Sequence, residues 1–310
     1  MSKILVTGGA GYIASVLIPR LLNAGHLVTA VDNFMYNQTP LLDKCLSDNF
    51  TVVRGDITDI DYMRKYYESA DIIIPLACLT GAPLCNASKN QARDIIQLAI
   101  IQMRLNIPDT TKIIYPTTNS GYGIGGSEFC TEESPLNPVS LYGKLKCEAE
   151  AEILQHGNSV SFRLATAFGV SPRMRLDLLV NDLTYRAVND RCITVFEGHF
   201  RRNFIHVQDI ARAIEHAINN WDTMKNQIYN VGLSDANLTK LELAQKIASY
   251  VPGCEVLESH TGKDPDKRDY IVSNAKLEVT GWKPVLTLDD GIKELIKAYT
   301  ILKRKEYANI

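Results

Sequence analysis

Ile4-Leu-Val-Thr-Gly-Gly-Ala-Gly-Tyr-Ile-Ala14 decides how the rest of this chain is read. The run Ile4–Thr7 predicts a buried strand, and Tyr12–Asn23 carries apolar residues at helical spacing. Between them Gly8, Gly11 and Ala14 stand in the order G-x-x-G-x-x-A. Glycine permits a tight strand-to-helix turn and lets backbone N–H groups approach an anion at the helix N-terminus. A small third residue allows helix and strand to pack closely. Such a turn also closes ordinary βα units, so its meaning depends on its surroundings.

Outward from the turn the alternation repeats. Further strands are predicted at Leu27–Val31, Thr51–Arg54, Asp71–Ile74, Lys112–Tyr115 and Ser159–Arg163, with helices over Thr58–Ser69, Asn86–Leu105 and Val139–Gln155. Near-continuous apolar strands separated by helices call for an α/β, doubly wound parallel (Rossmann) sheet covered on both faces. Past residue 166 the rhythm loosens: helices are predicted over Arg173–Asn189, Asp209–Asn220 and Leu241–Tyr250, and short strands at Ile193–Phe196 and Cys254–Leu257. We expect residues 1–165 to form the large domain and 166–310 mainly a smaller α/β substrate lobe, the chain returning to the large domain around 204–232.

The bulk properties narrow the class. A chain of 310 residues with 45% hydrophobic and 22% charged residues is ordinary for a globular enzyme. A formal net charge of -2 gives no broad reason to bind nucleic acid or an anionic membrane. No apolar run approaches the ~20 residues that span a bilayer. The N-terminus enters a strand directly, without the pattern of a signal peptide. Seven cysteines lie scattered, with no Cys-x-x-Cys pair, which predicts reduced thiols rather than a disulfide frame or metal site. The expected location is cytoplasmic.

Two further features give the turn chemical meaning. Asp32 follows the second strand, about 20 residues beyond the glycines, where a carboxylate can hold an adenosine ribose 2′-OH. Asn33, Phe34 and Met35 follow it, none of them basic, so NAD is expected rather than NADP. Tyr142 and Lys146, in Ser140-Leu-Tyr-Gly-Lys-Leu-Lys146, sit one helical turn apart on one face. A cation there favours tyrosinate, making a phenol usable as a base on an alcohol.

On these residues the chain resembles the extended short-chain dehydrogenase/reductases, specifically the nucleotide-sugar epimerases and dehydratases, nearly end to end. Thr7–Ala14 is similar to the family's glycine turn, Gly55-Asp-Ile57 to its adenine segment, and Leu76-Ala77 to the small-residue segment flanking the cofactor. The resemblance implies that Gly8, Gly11, Tyr12, Ile13, Asp32, Asn33, Asp56, Ile57, Leu76 and Ala77 hold NAD, with Tyr142 and Lys146 also touching it. It implies a catalytic trio of Tyr142 as proton acceptor, Lys146 beside it, and Thr118, four residues before Tyr122-Gly123, on the reacting oxygen. Dehydratases of this family carry Thr-Asp-Glu where this chain has Thr118-Asn-Ser120. Asparagine and serine are a poor acid–base pair, so dehydration is disfavoured.

For the substrate, Arg202 in Arg201–Asp209 and Arg268 in Asp266–Tyr270 match family arginines that grip a nucleotide diphosphate, and guanidinium forks suit phosphate oxygens. Arg173 and Arg175 add positive charge, and Asn181 can donate to phosphate or base. Thr166 stands where many relatives have a substrate-binding asparagine, while His206 reads as structural. Residues 80–85, 117–123 and 171–181 are similar to bacterial members that oxidise C4 of a GDP-heptose. That likeness implies a GDP-sugar partner, with Gly81, Ala82, Asn119 and Ser120 facing the sugar. A C4 epimerase with retained NAD uses the same trio and remains open. Relatives commonly form homodimers through the helices matching 86–105 and 139–155.

Overall fold

The computed structural model describes residues 1–259 and 268–302. Its strands are β1 (Lys3–Thr7), β2 (Leu27–Asp32), β3 (Phe50–Arg54), β4 (Ile72–Pro75), β5 (Lys112–Thr118), β6 (Ile124–Cys130) and β7 (Ser159–Leu164). There follow β8 (Thr166–Phe168), β9 (Cys192–Phe196), β10 (Arg201–His206), β11 (Gln227–Val231), β12 (Asn237–Thr239), β13 (Glu255–Ser259) and β14 (Asp269–Val272). Seven of them form one parallel sheet in the order β11-β7-β5-β4-β1-β2-β3. This is the doubly wound α/β sheet that the apolar strands foretold. β4 and β7 are buried along their whole length, as a sheet covered on both faces requires.

Two apolar layers flank the sheet. One includes Leu17, Ile18 and Leu21 of the helix Ala14–Asn23, the other Met63, Tyr67, Ile96, Ile100 and Leu145. Smaller sheets complete the substrate side: β12-β10-β8, β13-β9 and β14-β6. β11, absent from the predicted strands, closes the main sheet beside β7, so residues 227–231 belong to the same sheet as the glycine turn.

Helix boundaries differ from expectation for local reasons. The stretch predicted as one helix from Asn86 begins earlier, at Ala82, where Gly81 takes φ 99° and Pro83 sits in the first turn. It is broken at Ser88 (φ -135°), resumes over Lys89–Arg93, passes through a wider π turn at Asp94–Leu98 and ends as Ala99–Leu105. The helix Leu141–Leu154 starts two residues later than predicted because Ser140 is extended and caps it, its side chain accepting from Gly143 N at 3.1 Å. The helix expected from Arg173 begins only at Leu179. Residues 173–178 form a loop, with the Arg175 carbonyl taken by the Asn181 side chain at 2.8 Å.

A buried polar network fixes the helix Leu141–Leu154 to the sheet. Glu150 and Arg163 are 3% and 5% exposed, and Arg163 Nη2 lies 2.7 Å from Glu150 Oε1. Ser161 donates to the same carboxylate at 2.8 Å, and Arg163 Nη1 reaches the Tyr122 hydroxyl at 3.2 Å. Tyr122 in turn donates to Asn230 Oδ1 at 2.6 Å. Removing one partner of a buried pair strands the other charge, at a cost of about 3–5 kcal/mol. Glu150→Ala is therefore expected to lose that much in denaturant unfolding, and a loss below about 1 kcal/mol would show that water rescues Arg163.

Candidate active site

The first crossover builds one wall of a cleft. Gly8 adopts φ +66°, and a Cβ there would lie 2.6 Å from Ala77 N, so only glycine fits between β1 and the end of β4. Asp32 closes the turn from the side: Oδ2 accepts from Ala10 N at 3.0 Å and Oδ1 from Phe34 N at 2.7 Å. Each oxygen keeps a further lone pair and Asp32 lines the cleft, which suits ribose hydroxyls. Asp56 is held by the Thr58 amide and hydroxyl at 2.9 and 2.7 Å. Arg54, one strand over, lies over the Phe34 ring at 4.6 Å and donates to Asn33 O at 3.3 Å.

The opposite wall comes from the loop after β8, laced to the first helix. Tyr12 donates its hydroxyl to Gly169 O at 2.7 Å, and Ser171 Oγ donates to Tyr12 O at 2.7 Å. Ser15 and Ser171 hydroxyls meet at 2.8 Å. Between the walls lies a cavity of about 460 Å³. It is lined by Gly8, Gly11, Tyr12, Ile13, Asp32, Asn33, Asp56, Ile57, Leu76 and Ala77 on the cofactor side. Gly81, Ala82, Thr118, Ser120, Tyr142, Thr166, Arg173, Arg175, Arg202 and Arg268 line the rest. Twenty residues singled out in the sequence thus face one space.

Three do not. Lys146 is 5% exposed, with Nζ 2.6 Å from Pro116 O and 4.0 Å from the Tyr115 ring centroid. It stands behind the cavity lining. Asn181 is fully buried and accepts from Gly169 N at 3.0 Å, so it shapes the loop rather than facing the cleft. Asn119 is likewise fully buried and outside the lining. Asp266 and Lys267 lie outside the described residues.

Sequence reasoning passed over Tyr36, Cys78, Asp177 and Lys240, which also line the cavity. Tyr36 lies under the Arg173 guanidinium at 4.4 Å, and Asp177 forks Arg175 at 3.2 and 2.5 Å. The Arg175–Asp177 spacing was readable as a pair; nothing in the order of residues marks Tyr36 or Lys240.

The electrostatics revise the expected phenol. Burial pushes the Tyr142 hydroxyl well above its usual range, with the Cys78 thiol adding to it, while Arg175 and Arg268 pull it down. Burial also lowers the Lys146 ammonium. Here Tyr142 is a neutral phenol, and the cations that favour its ionised form are arginines of the substrate side.

Residues 4–232 match the NAD dependent epimerase/dehydratase family. The chain belongs to that family. It is accordingly an NAD-dependent enzyme, and the glycine turn with Asp32 fits the dinucleotide. Low-salt glycan biosynthesis protein Agl12 of Haloferax volcanii is 27% identical over 321 residues, covering 96% of this chain and 98% of the relative. Pal from Bacillus thuringiensis superposes with a TM-score of 0.87 at 22% identity, over 97% of this chain and 100% of that one. DesIV, a dTDP-glucose 4,6-dehydratase from Streptomyces venezuelae crystallised with NAD, gives 0.85 at 21%, over 96% and 97%. Among the described residues no helix is long and apolar enough to cross a membrane.

Hydrogen bonds to a charged group contribute about 1.5–3 kcal/mol, or roughly ten- to a hundredfold in affinity. Asp32→Asn is expected to weaken NADH by that factor in a fluorescence titration and also to lower the unfolding midpoint, because one of the two backbone N–H groups on Asp32 would then face an amide nitrogen. Undiminished affinity would remove Asp32 from the cofactor site.

Proposed function

We propose that this family member oxidises a nucleotide sugar at C4, the sugar being a GDP-heptose, and releases a 4-keto product in the cytoplasm. The observation that carries the reading is one cavity shared by the glycine turn, Thr118, Tyr142 and four arginines. Arginines on the wall opposite the turn suit a diphosphate. Tyr142 takes the sugar hydroxyl proton, Thr118 holds the same oxygen, and Lys146 supports the phenol from behind. NAD, when bound, accepts the hydride leaving the carbon.

Dehydration lacks its base here. Ser120 stands where dehydratases of the family place a carboxylate, and its hydroxyl accepts from Arg268. A serine in that bond cannot take a ring proton near neutral pH. The choice of GDP-heptose rests on the resemblance of residues 80–85, 117–123 and 171–181. A homodimer joined through residues 86–105 and 139–155 belongs to the same proposal.

A second reading has one observation in its favour. Arg173 stacked on Tyr36 spans the cavity between the cofactor-side loop and the substrate loop, a clasp that suits a retained NAD and hence a C4 epimerase. Incubation with NAD and a panel of GDP- and UDP-sugars, followed by NADH absorbance and product NMR, separates the two. Net NADH with a trapped ketone is expected. An inverted sugar without ketone assigns the enzyme to epimerisation, and no conversion of any sugar defeats both.

General base catalysis contributes about 10²–10⁴-fold, so Tyr142→Phe should lower kcat by that much. Because the phenol must ionise to act as base, the oxidation rate should rise with pH from neutral upward. Arg175 favours the ionised form, so Arg175→Gln should move the rising limb to higher pH. A flat profile in wild type would exclude Tyr142 as the titrating base.

A further inference from the structure

Arg268 approaches the catalytic turn from a distant part of the chain. It immediately precedes β14, which pairs in parallel with β6, and β6 follows the turn Asn119–Tyr122. Its neighbour Asp269 is pinned by Arg201, Nε to Oδ1 at 2.9 Å. Strand pairing thus brings Arg268 to Ser120, and its Nη1 donates to the Ser120 hydroxyl.

Donor and acceptor accounting then gives the bond a direction. A guanidinium only donates, so one lone pair of Ser120 Oγ is taken by Arg268. Thr118 Oγ1 accepts from Ser120 N at 3.1 Å and lies 2.8 Å from Ser120 Oγ. Ser120 and Thr118 are 1% and 9% exposed, so protons here need partners within the site. If Ser120 donates to Thr118, both hydroxyls are satisfied and the Thr118 proton is left for the cavity, which Thr118 lines. The reverse direction would turn the Ser120 proton toward the cavity instead, from a residue that at 1% exposed lies deeper than Thr118 at 9%. A cation at the head of the chain makes each hydroxyl after it a stronger donor.

We infer that Arg268 is a positioning residue that, through the Ser120 hydroxyl, fixes Thr118 as the hydrogen-bond donor to the reacting sugar oxygen. The inference rests on the oxidation reading above. A donor at that point stabilises the alkoxide formed when the hydroxyl proton leaves. It also explains a serine in place of a carboxylate: a carboxylate would pair with Arg268 as an ion and offer Thr118 no proton.

The test uses the full chain with NAD and whichever sugar of the panel wild type oxidises. Ser120→Ala and Arg268→Gln are each expected to lower kcat about tenfold to a hundredfold, since misplacement of a reacting group costs that order. For Ser120→Ala the KM should stay within about threefold, because the lost interaction belongs to the transition state. Ser120→Thr should restore most of kcat, and the double variant should be no slower than the slower single. Full kcat in Ser120→Ala, or multiplying losses in the double variant, would overturn the relay. Thermal unfolding tests the contact without turnover: the Tm losses of the two single variants should combine less than additively. Additive losses refute the relay even if no sugar is oxidised, whereas an inactive wild type with coupled Tm losses counts against the oxidation reading alone.

Discussion

The Glu150–Arg163 pair is the constraint on which the site depends. Helix Leu141–Leu154 carries Tyr142 and Lys146, and Glu150 sits one turn further along it. Arg163 belongs to β7 and also reaches Tyr122, at the end of the turn that follows Thr118. One guanidinium therefore sets the helix bearing the phenol against the turn bearing the two hydroxyls. A salt bridge this deep is not a cheap source of stability, since desolvation offsets most of its Coulombic gain. Its value is geometric: both ends are forked and fully bonded, so helix and turn have one relative placement.

The second constraint closes the cleft. A Rossmann sheet alone offers an open crevice at the carboxyl ends of its strands. Here Tyr12 and Ser171 tie the loop after β8 to the start of the first helix, so the two walls cannot part without breaking buried hydrogen bonds. Asn181, expected to touch substrate, holds that loop from within by bonding both Gly169 and Arg175. Its amide fits the role because a single side chain can accept from one backbone group and donate to another.

What could be read from the sequence follows the range of the forces involved. The glycine turn, Asp32 and the Tyr142–Lys146 spacing are local patterns, and strand and helix period carried them into the fold. β6, β8, β11, β12 and β14 were missed because their places are set by pairing with distant strands, as when β11 lies beside β7. Helix ends shifted where one residue overrode the period: Gly81 and Pro83 began a helix early, and Ser88 interrupted it. Tyr36 and Lys240 reach the cavity only through tertiary closure, which no spacing encodes. Lys146 was rightly placed on its helix face, yet its ammonium meets the Pro116 carbonyl, a partner supplied by a different strand.

The state of the phenol shows how burial and charge act together. Removing Tyr142 from water disfavours its anion, and the same low dielectric enlarges the field of every cation nearby. Arg175 is forked by Asp177 and still favours the ionised phenol. Arg268 donates to the Ser120 hydroxyl, which in turn bonds Thr118. Two arginines in one cavity thus differ in what they touch: one is forked by a carboxylate, and the other bonds a hydroxyl of the catalytic turn.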